Sequence, residues 1–319
     1  MAVVPDFVLP SPVSASARLA GVIRCTPVLI EPVLDAHFDC RLFFKAEHLQ
    51  VTGSFKFRGA SHAVSRLADG IRGVATHSSG NHGAALAAAA RARGIEAHVV
   101  MPENAVSTKV AAVRAHGGQV HFCAPTQAAR EAGLAEWVEQ GFAAVPPYDH
   151  DDIIAGQGTL ALELLDQVDD LDVIVAPIGG GGMLAGIARA VAERGSGAAV
   201  IGAEPSGADD ASRSLAAGRR VDEHRPQTIA DGLRALIGTR NLEILDAAEV
   251  PIVTVSEAQI RTAMGLLWRQ LKQVIEPSGA VALAAVAAAP ERFTGQRVGV
   301  VLSGGNLDID TLLDHLPDA

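Results

Sequence analysis

Val173-Ile174-Val175-Ala176-Pro177-Ile178 runs directly into Gly179-Gly180-Gly181-Gly182, and an Ala/Leu-rich stretch follows from Met183. A short β-branched run, a glycine loop and a helical pattern, in that order, read as strand, tight turn and helix. Four glycines let backbone amides approach an anion closely, and the helix start adds unpaired N–H groups. The signal is strong for an anion and weak for which one. The same residues fit a dinucleotide-type pattern, Gly180-x-Gly182-x-x-Ala185, with Glu204 at the end of the next strand. An NAD-binding oxidoreductase is therefore a rival reading at this point.

Outward from this unit the same alternation continues. Candidate strands are Pro27–Ile30, Leu42–Lys45, Gly73–His77, Ala97–Met101, Val120–Cys123, Val200–Ala203, Ile252–Val255 and Val298–Leu302. Helical patterns lie between several of them, for example Gly83–Arg93, Ser107–His116, Thr126–Gln140, Gly156–Leu165, Leu184–Arg194 and Glu257–Gln273. Such alternation predicts an α/β protein with largely parallel sheets. Pro146-Pro147-Tyr148-Asp149-His150-Asp151-Asp152 is the clearest seam between two lobes. No repeat of solenoid period and no low-complexity linker interrupts the pattern.

Composition bounds the function. The chain has 319 residues, 49% hydrophobic and 19% charged, enough for a full core. Its net charge of −10, with 4% aromatic residues and no basic block, argues against nucleic acid as a partner. Three scattered cysteines, Cys25, Cys40 and Cys123, give neither a disulfide framework nor a cysteine zinc site. Ala15-Ser16-Ala17 looks like a cleavage site, but no basic residue precedes it and Pro5, Pro10 and Pro12 break the apolar stretch. Apolar runs such as Gly279 to Pro290 are too short to span a bilayer. A soluble, cytoplasmic protein with no membrane partner is expected.

Four further segments carry chemistry. In Gly53-Ser54-Phe55-Lys56-Phe57-Arg58-Gly59 a lysine sits between two phenylalanines near an arginine. Desolvation and a like charge both lower a lysine pKa toward nucleophilic use, whereas an exposed first helical turn would leave it ordinary. Ser78-Ser79-Gly80-Asn81-His82-Gly83 opens a helix after a strand, as an anion site or as a plain serine cap. Ser303-Gly304-Gly305-Asn306 leaves the carboxyl end of a buried strand, where open α/β sheets bind ligands. Glu204-Pro205-Ser206-Gly207-Ala208-Asp209-Asp210 offers carboxylates and carbonyls to a hard cation, or is a solvated loop.

Together these motifs resemble the pyridoxal-phosphate (PLP) enzymes of the tryptophan-synthase β fold type, in the threonine/serine dehydratase and serine racemase group. Lys45-Ala46-Glu47-His48-Leu49-Gln50, the Lys56 and Asn81 segments, Ala155-Gly156-Gln157-Gly158-Thr159, the four-glycine loop, Thr228-Ile229-Ala230-Asp231-Gly232, Glu276-Pro277-Ser278-Gly279 and Ser303-Gly304-Gly305-Asn306 match in order and spacing. The match runs from about Thr26 to Asn306. It implies two lobes, each a largely parallel twisted sheet flanked by helices, with PLP in the cleft between them. Residues 1–65 and 147–319 would form the large PLP-binding domain, and 66–146 the small one.

Carried over by motif, Lys56 resembles the lysine that holds the cofactor aldehyde. The backbone of Gly179, Gly180, Gly181, Gly182 and Met183 resembles the phosphate cup, Asn81 the partner of the ring hydroxyl, and Ser303 the group facing the pyridine nitrogen. Phe55 would pack by the ring. Ser78, Ser79, Asn81 and His82 resemble the loop that grips the substrate carboxylate, and Arg130 an arginine near the substrate end. Ser79 also stands where racemases carry the acid/base of the second face. Glu204, Ala208 and Asp210 match the site for Mg²⁺, or for Ca²⁺ or Mn²⁺. Tyr148 and Ala235 depart from the racemase pattern, which usually has asparagine and serine there.

The resemblance thus implies a Mg²⁺-supported dehydratase of L-threonine and L-serine, with racemisation as a side reaction. Serine racemase and 3-hydroxyaspartate dehydratase are the alternatives, the substrate a small hydroxy-amino acid, and the assembly a homodimer. The 13 residues after Asn306 leave no room for an appended regulatory domain, so feedback control of that type is not expected.

Overall fold

A computed structural model describes residues 10–78, 80–308, 310 and 314. Among them the strands are β1 (Val28–Leu29), β2 (Arg41–Lys45), β3 (Gly73–His77), β4 (Glu96–Pro102), β5 (Gln119–Cys123), β6 (Ala143–Ala144), β7 (Val173–Pro177), β8 (Ala199–Pro205), β9 (Ile252–Val255) and β10 (Arg297–Val301). They form a six-stranded sheet in the order β1-β2-β10-β7-β8-β9 and a four-stranded sheet in the order β5-β4-β3-β6. Every pairing is parallel except β1 with β2.

Parallel sheets need helices on both faces, and their central strands are then buried on both sides. β7 is buried along its whole length, as its unbroken Val-Ile-Val-Ala-Pro run requires. Separate apolar clusters line the two faces of the large sheet, one around Phe44, Val175 and Leu283, the other around Ile174, Leu184 and Leu160. The Ala-rich helix Pro277–Ala288 packs across β7, β8 and β9 and is buried over its first ten residues, Pro277 to Val286. No described helix is long and apolar enough to cross a membrane.

Two helices come unusually close. On Gly158, in helix Asp151–Gln167, a Cβ would lie 2.5 Å from the carbonyl oxygen of Gly186, in helix Gly182–Arg194. The first of these helices begins five residues before the expected Gly156, because the His150 side chain accepts from the Asp152 amide and caps it. The expected helix Glu257–Gln273 is α-helical only to Leu266 and continues as a π turn over Leu267–Leu271.

The topology places the chemistry. β2, β10 and β7 lie side by side and parallel, so their carboxyl ends share one edge of the sheet. The Lys56 segment, Ser303 and the glycine loop follow those three strands, and Asn81 follows β3. Ligands of open α/β sheets bind at such an edge.

Candidate active site

Lys56 is the first residue of helix Lys56–Arg66. The segment before it is fastened to the exit of β10: Ser54 pairs with Gly304, and the Phe55 amide donates to the Ser303 carbonyl at 3.0 Å. Lys56 Nζ lies 5.0 Å from the Phe55 ring centroid and donates to the Pro147 carbonyl at 2.8 Å. Burial pushes its pKa down to about 8, against the pull of the Glu276 charge. A free amine at neutral to mildly basic pH is a competent nucleophile and base.

The helix carrying Lys56 is anchored by charge. Arg58 donates from Nε and Nη2 to the two Glu47 carboxylate oxygens at 2.7 and 2.8 Å, and from Nη1 to Glu163 Oε1 at 2.7 Å. Lys45 Nζ reaches Glu163 Oε2 at 2.8 Å. Two acids and two bases thus balance inside the protein, with the Arg58 and Glu47 side chains fully buried.

Gly179 through Met183 are all buried, and their five amides donate to no protein acceptor among the described residues. Buried N–H groups are rarely left so, which makes this helix start a demand for an anion. The loop is held from behind. Asn241 Nδ2 and the Gly238 amide both donate to the Gly180 carbonyl, at 2.6 and 3.0 Å. Gly181 adopts φ +88°, the left-handed region that favours glycine. The Tyr148 ring lies against Gly180 so closely that a Cβ there would be 2.3 Å from it.

Asn81, at the start of helix Asn81–Arg93, donates from Nδ2 to Glu276 Oε1 at 2.7 Å and accepts at Oδ1 from Asn306 Nδ2 at 2.9 Å. Glu276 was quoted in the sequence only as part of a motif. It stands in the site, its pKa pushed up to about 7 by burial and by Asp231, with Oε2 unpartnered. Ser303 is buried, and its hydroxyl forms no hydrogen bond to protein among the described residues.

On the substrate side, Ser78 Oγ accepts from the amides of Gly80 and Gly83 at 3.3 and 3.1 Å. His82 Nε2 donates to the Val145 carbonyl at 3.0 Å, leaving Nδ1 buried and unpartnered. Burial and the Lys56 charge push its pKa down to about 3, so the ring is neutral. Half-buried Arg130 makes no ion pair among the described residues, and its charge acts on both His77 and Tyr148. Lys109 pairs with Asp231 across the two sheets' helices. Ser79 lies outside the described residues.

The model of the family described as pyridoxal-phosphate dependent enzyme matches residues 19–304. The chain belongs to this family. A β-hydroxyaspartate dehydratase of Paracoccus denitrificans is 44% identical over 94% of this chain and 96% of its own. Among solved structures, maize serine racemase superposes with a TM-score of 0.90 at 39% identity, covering 95% of this chain and 94% of that one. The serine racemase of Dictyostelium discoideum gives 0.88 at 40% identity, covering 93% and 98%, and a threonine deaminase gives 0.89 at 42% identity, covering 94% and 99%. All are fold type II PLP enzymes, like this one.

The site of this PLP enzyme fits the cofactor. Five buried amides are free for a phosphate, an amine of lowered pKa for an aldehyde, and the Ser303 hydroxyl and a second Asn81 N–H for the ring. The NAD reading falls with this, and Glu204 shows why physically. It is fully buried, and its two oxygens accept from the amides of Ala211 and Ser212, both at 2.9 Å, so it is not an exposed acid that could reach a ribose.

Those amides also mark the candidate cation site. Among the described residues no group of three or more His, Cys, Asp or Glu side chains is arranged to hold a metal. Two buried carboxylates and a carbonyl are, however, a hard-oxygen donor set. Burial pushes Glu204 up to about 8 and Asp210 upward, each disfavouring its own charge. Asp210 Oδ2 accepts from the Ile237 amide at 2.7 Å, while Oδ1 is buried without a hydrogen bond and 3.5 Å from His224 Nδ1. Glu204 and Asp210 contribute two buried carboxylates to such a set.

Proposed function

We propose that this PLP enzyme is an ammonia-lyase of β-hydroxy-α-amino acids, converting L-threonine, L-serine or 3-hydroxyaspartate to a 2-oxo acid and ammonia. The observation that carries it is Lys56, a half-buried amine with a pKa of about 8 at the edge where β2, β10 and β7 end.

PLP, when bound, supplies the electron sink that acidifies the substrate Cα–H. The amides of Gly179 to Met183 would hold its phosphate. Lys56 Nζ is the amine that would hold its aldehyde and, as a free base, would take the Cα proton. Asn81 would donate to the ring hydroxyl, Phe55 would pack by the ring, and the loop Ser78 to His82 would hold the substrate carboxylate. Ser303 offers the ring nitrogen a hydroxyl, which unlike a carboxylate does not keep a proton there. The weaker sink favours expulsion of the β-hydroxyl over transamination. Water is lost in that step and regained when the released enamine hydrolyses, so the net products are 2-oxo acid and ammonia.

Within this class, Arg130 favours the substrate with a second carboxylate, 3-hydroxyaspartate, over L-threonine and L-serine. It is a guanidinium without a carboxylate partner among the described residues, acting on His77 and Tyr148 beside the site. The Paracoccus relative's name agrees with that choice. Ser79 would serve as second-face acid/base for a racemising side reaction, and Glu204, Ala208 and Asp210 would hold Mg²⁺.

The test is direct. The purified protein should be yellow, lose that colour with borohydride, and release ammonia with oxaloacetate, 2-oxobutanoate or pyruvate from the three acids. Lys56→Ala should abolish release. Arg130→Ala should lower kcat/KM for 3-hydroxyaspartate far more than for L-threonine, and equal losses would sink the preference. D-serine formation unchanged in Ser79→Ala would remove its role. A colourless, folded protein would sink the whole reading.

A further inference from the structure

Asn306 and Glu276 are parts of motifs to which the proposed chemistry gives no task, yet they enclose Asn81. Asn306 Nδ2 donates to two acceptors, the Thr52 carbonyl at 2.8 Å and Asn81 Oδ1 at 2.9 Å. A backbone carbonyl cannot donate, so Thr52 fixes which end of the Asn306 amide is nitrogen. That in turn obliges Asn81 to present its oxygen to Asn306. Its Nδ2 then faces Glu276 Oε1, which accepts at 2.7 Å. One Asn81 N–H is used there and one is left.

The backbone makes room for both outer members. A Cβ on Gly53 would lie 2.2 Å from Asn306 Oδ1, and one on Gly304 would lie 2.3 Å from Glu276 Oε1. Three motifs distant in sequence are thereby locked around one amide.

We propose that Asn306 and Glu276 are positioning residues that fix the orientation of the Asn81 amide, so that Asn81 meets the cofactor ring hydroxyl as a donor. This rests on the PLP reading above. A reversed Asn81 would turn a lone pair toward that oxygen.

Asn306→Asp removes both donors and forces Asn81 to reverse, which sets its oxygen against Glu276. Adding Glu276→Gln supplies an amide that can donate to the reversed oxygen and restores that contact, while the bond to the Thr52 carbonyl stays lost. The two substitutions therefore separate packing from orientation. The measurements are the melting temperature of the PLP-free chain, the dissociation constant of PLP, and the absorption maximum of the bound cofactor. Asn306→Asp should lower the melting temperature, weaken PLP by about ten- to a hundredfold and move the absorption. The double variant should recover part of the melting temperature but neither cofactor property, and it remains measurable if the single variant fails to fold. Asn81→Ala added to it should change neither cofactor property further.

Recovery of all three together would reduce the relay to packing and overturn the proposal, as would wild-type cofactor properties in Asn306→Asp. A colourless wild type would overturn the PLP reading itself, before any variant is compared.

Discussion

Lys56 Nζ donates to the carbonyl oxygen of Pro147 at 2.8 Å, and the next residue along, Tyr148, packs its ring on Gly180 of the anion loop. One short irregular segment therefore touches both the amine and the glycine loop. The lysine is held by a neutral carbonyl, which does little to keep it protonated, while burial favours the free amine.

Uptake of PLP by the cofactor-free chain should report that balance. Only the free amine attacks the aldehyde, so below about 8 the rate should rise roughly tenfold per pH unit and then level off. Borohydride-fixed PLP after short exposures measures it. A rate still climbing toward 10.5 would mean that Lys56 is an ordinary surface lysine.

Gly180→Ala should expose the second contact. Its Cβ would meet the Tyr148 ring at 2.3 Å, and overpacking of this kind costs about 1–3 kcal/mol. Chemical denaturation should show that loss, with weaker PLP binding. Tyr148→Ala in the same chain makes room and should recover stability. Failure to recover would mean that the clash is with the loop itself.

The glycine loop was legible in sequence because strand, turn and helix are contiguous there. Strands such as β3 and β9 were readable to the residue for the same reason. β6 was not, since Ala143–Ala144 carries no β-branched or alternating pattern. The partners of the site are invisible to local patterns: Asn81 meets Glu276 across 195 positions and Lys56 meets Pro147 across 91. Nor does local pattern show the strand order β2-β10-β7, which brings the Lys56 segment beside Ser303. Resemblance supplied the motifs but gave no role to Glu276.

Arg58→Met should be among the most damaging single substitutions. It leaves Glu47, fully buried, and Glu163 without their shared guanidinium. Breaking a buried pair from one side costs about 3–5 kcal/mol. Urea unfolding should show it, and Arg58→Lys should recover only part, because an ammonium lacks the fork that spans both carboxylates. A loss under about 1 kcal/mol, the range of exposed pairs, would show that water enters the network.

His82 gives a pH dependence with a definite sign. Its folded pKa of about 3 lies below the 6.5 of the free side chain. Between those values the unfolded chain binds a proton that the folded one refuses, so stability falls as pH drops from 6.5 toward 3. His82→Gln can keep a donor toward Val145 and has nothing to titrate. Its stability should therefore fall less steeply than wild type over that range, and parallel curves would place the titration elsewhere.

Mg²⁺ should raise the melting temperature of the chelator-treated protein in a saturable way. The reason is local: Glu204 and Asp210 are both fully buried, Asp210 raises the cost of charging Glu204, and Asp210 Oδ1 has no hydrogen bond. A cation between them would supply the missing positive charge, while Ala208 would contribute only its carbonyl oxygen. Asp210→Asn keeps the shape but removes a charge, so it should abolish most of the Mg²⁺ response. Ala208→Ser leaves the carbonyl in place and should retain it. The Asn variant should also be at least as stable as wild type without metal, since it no longer buries that charge. A Mg²⁺ response undiminished in Asp210→Asn would place the cation elsewhere on the molecule.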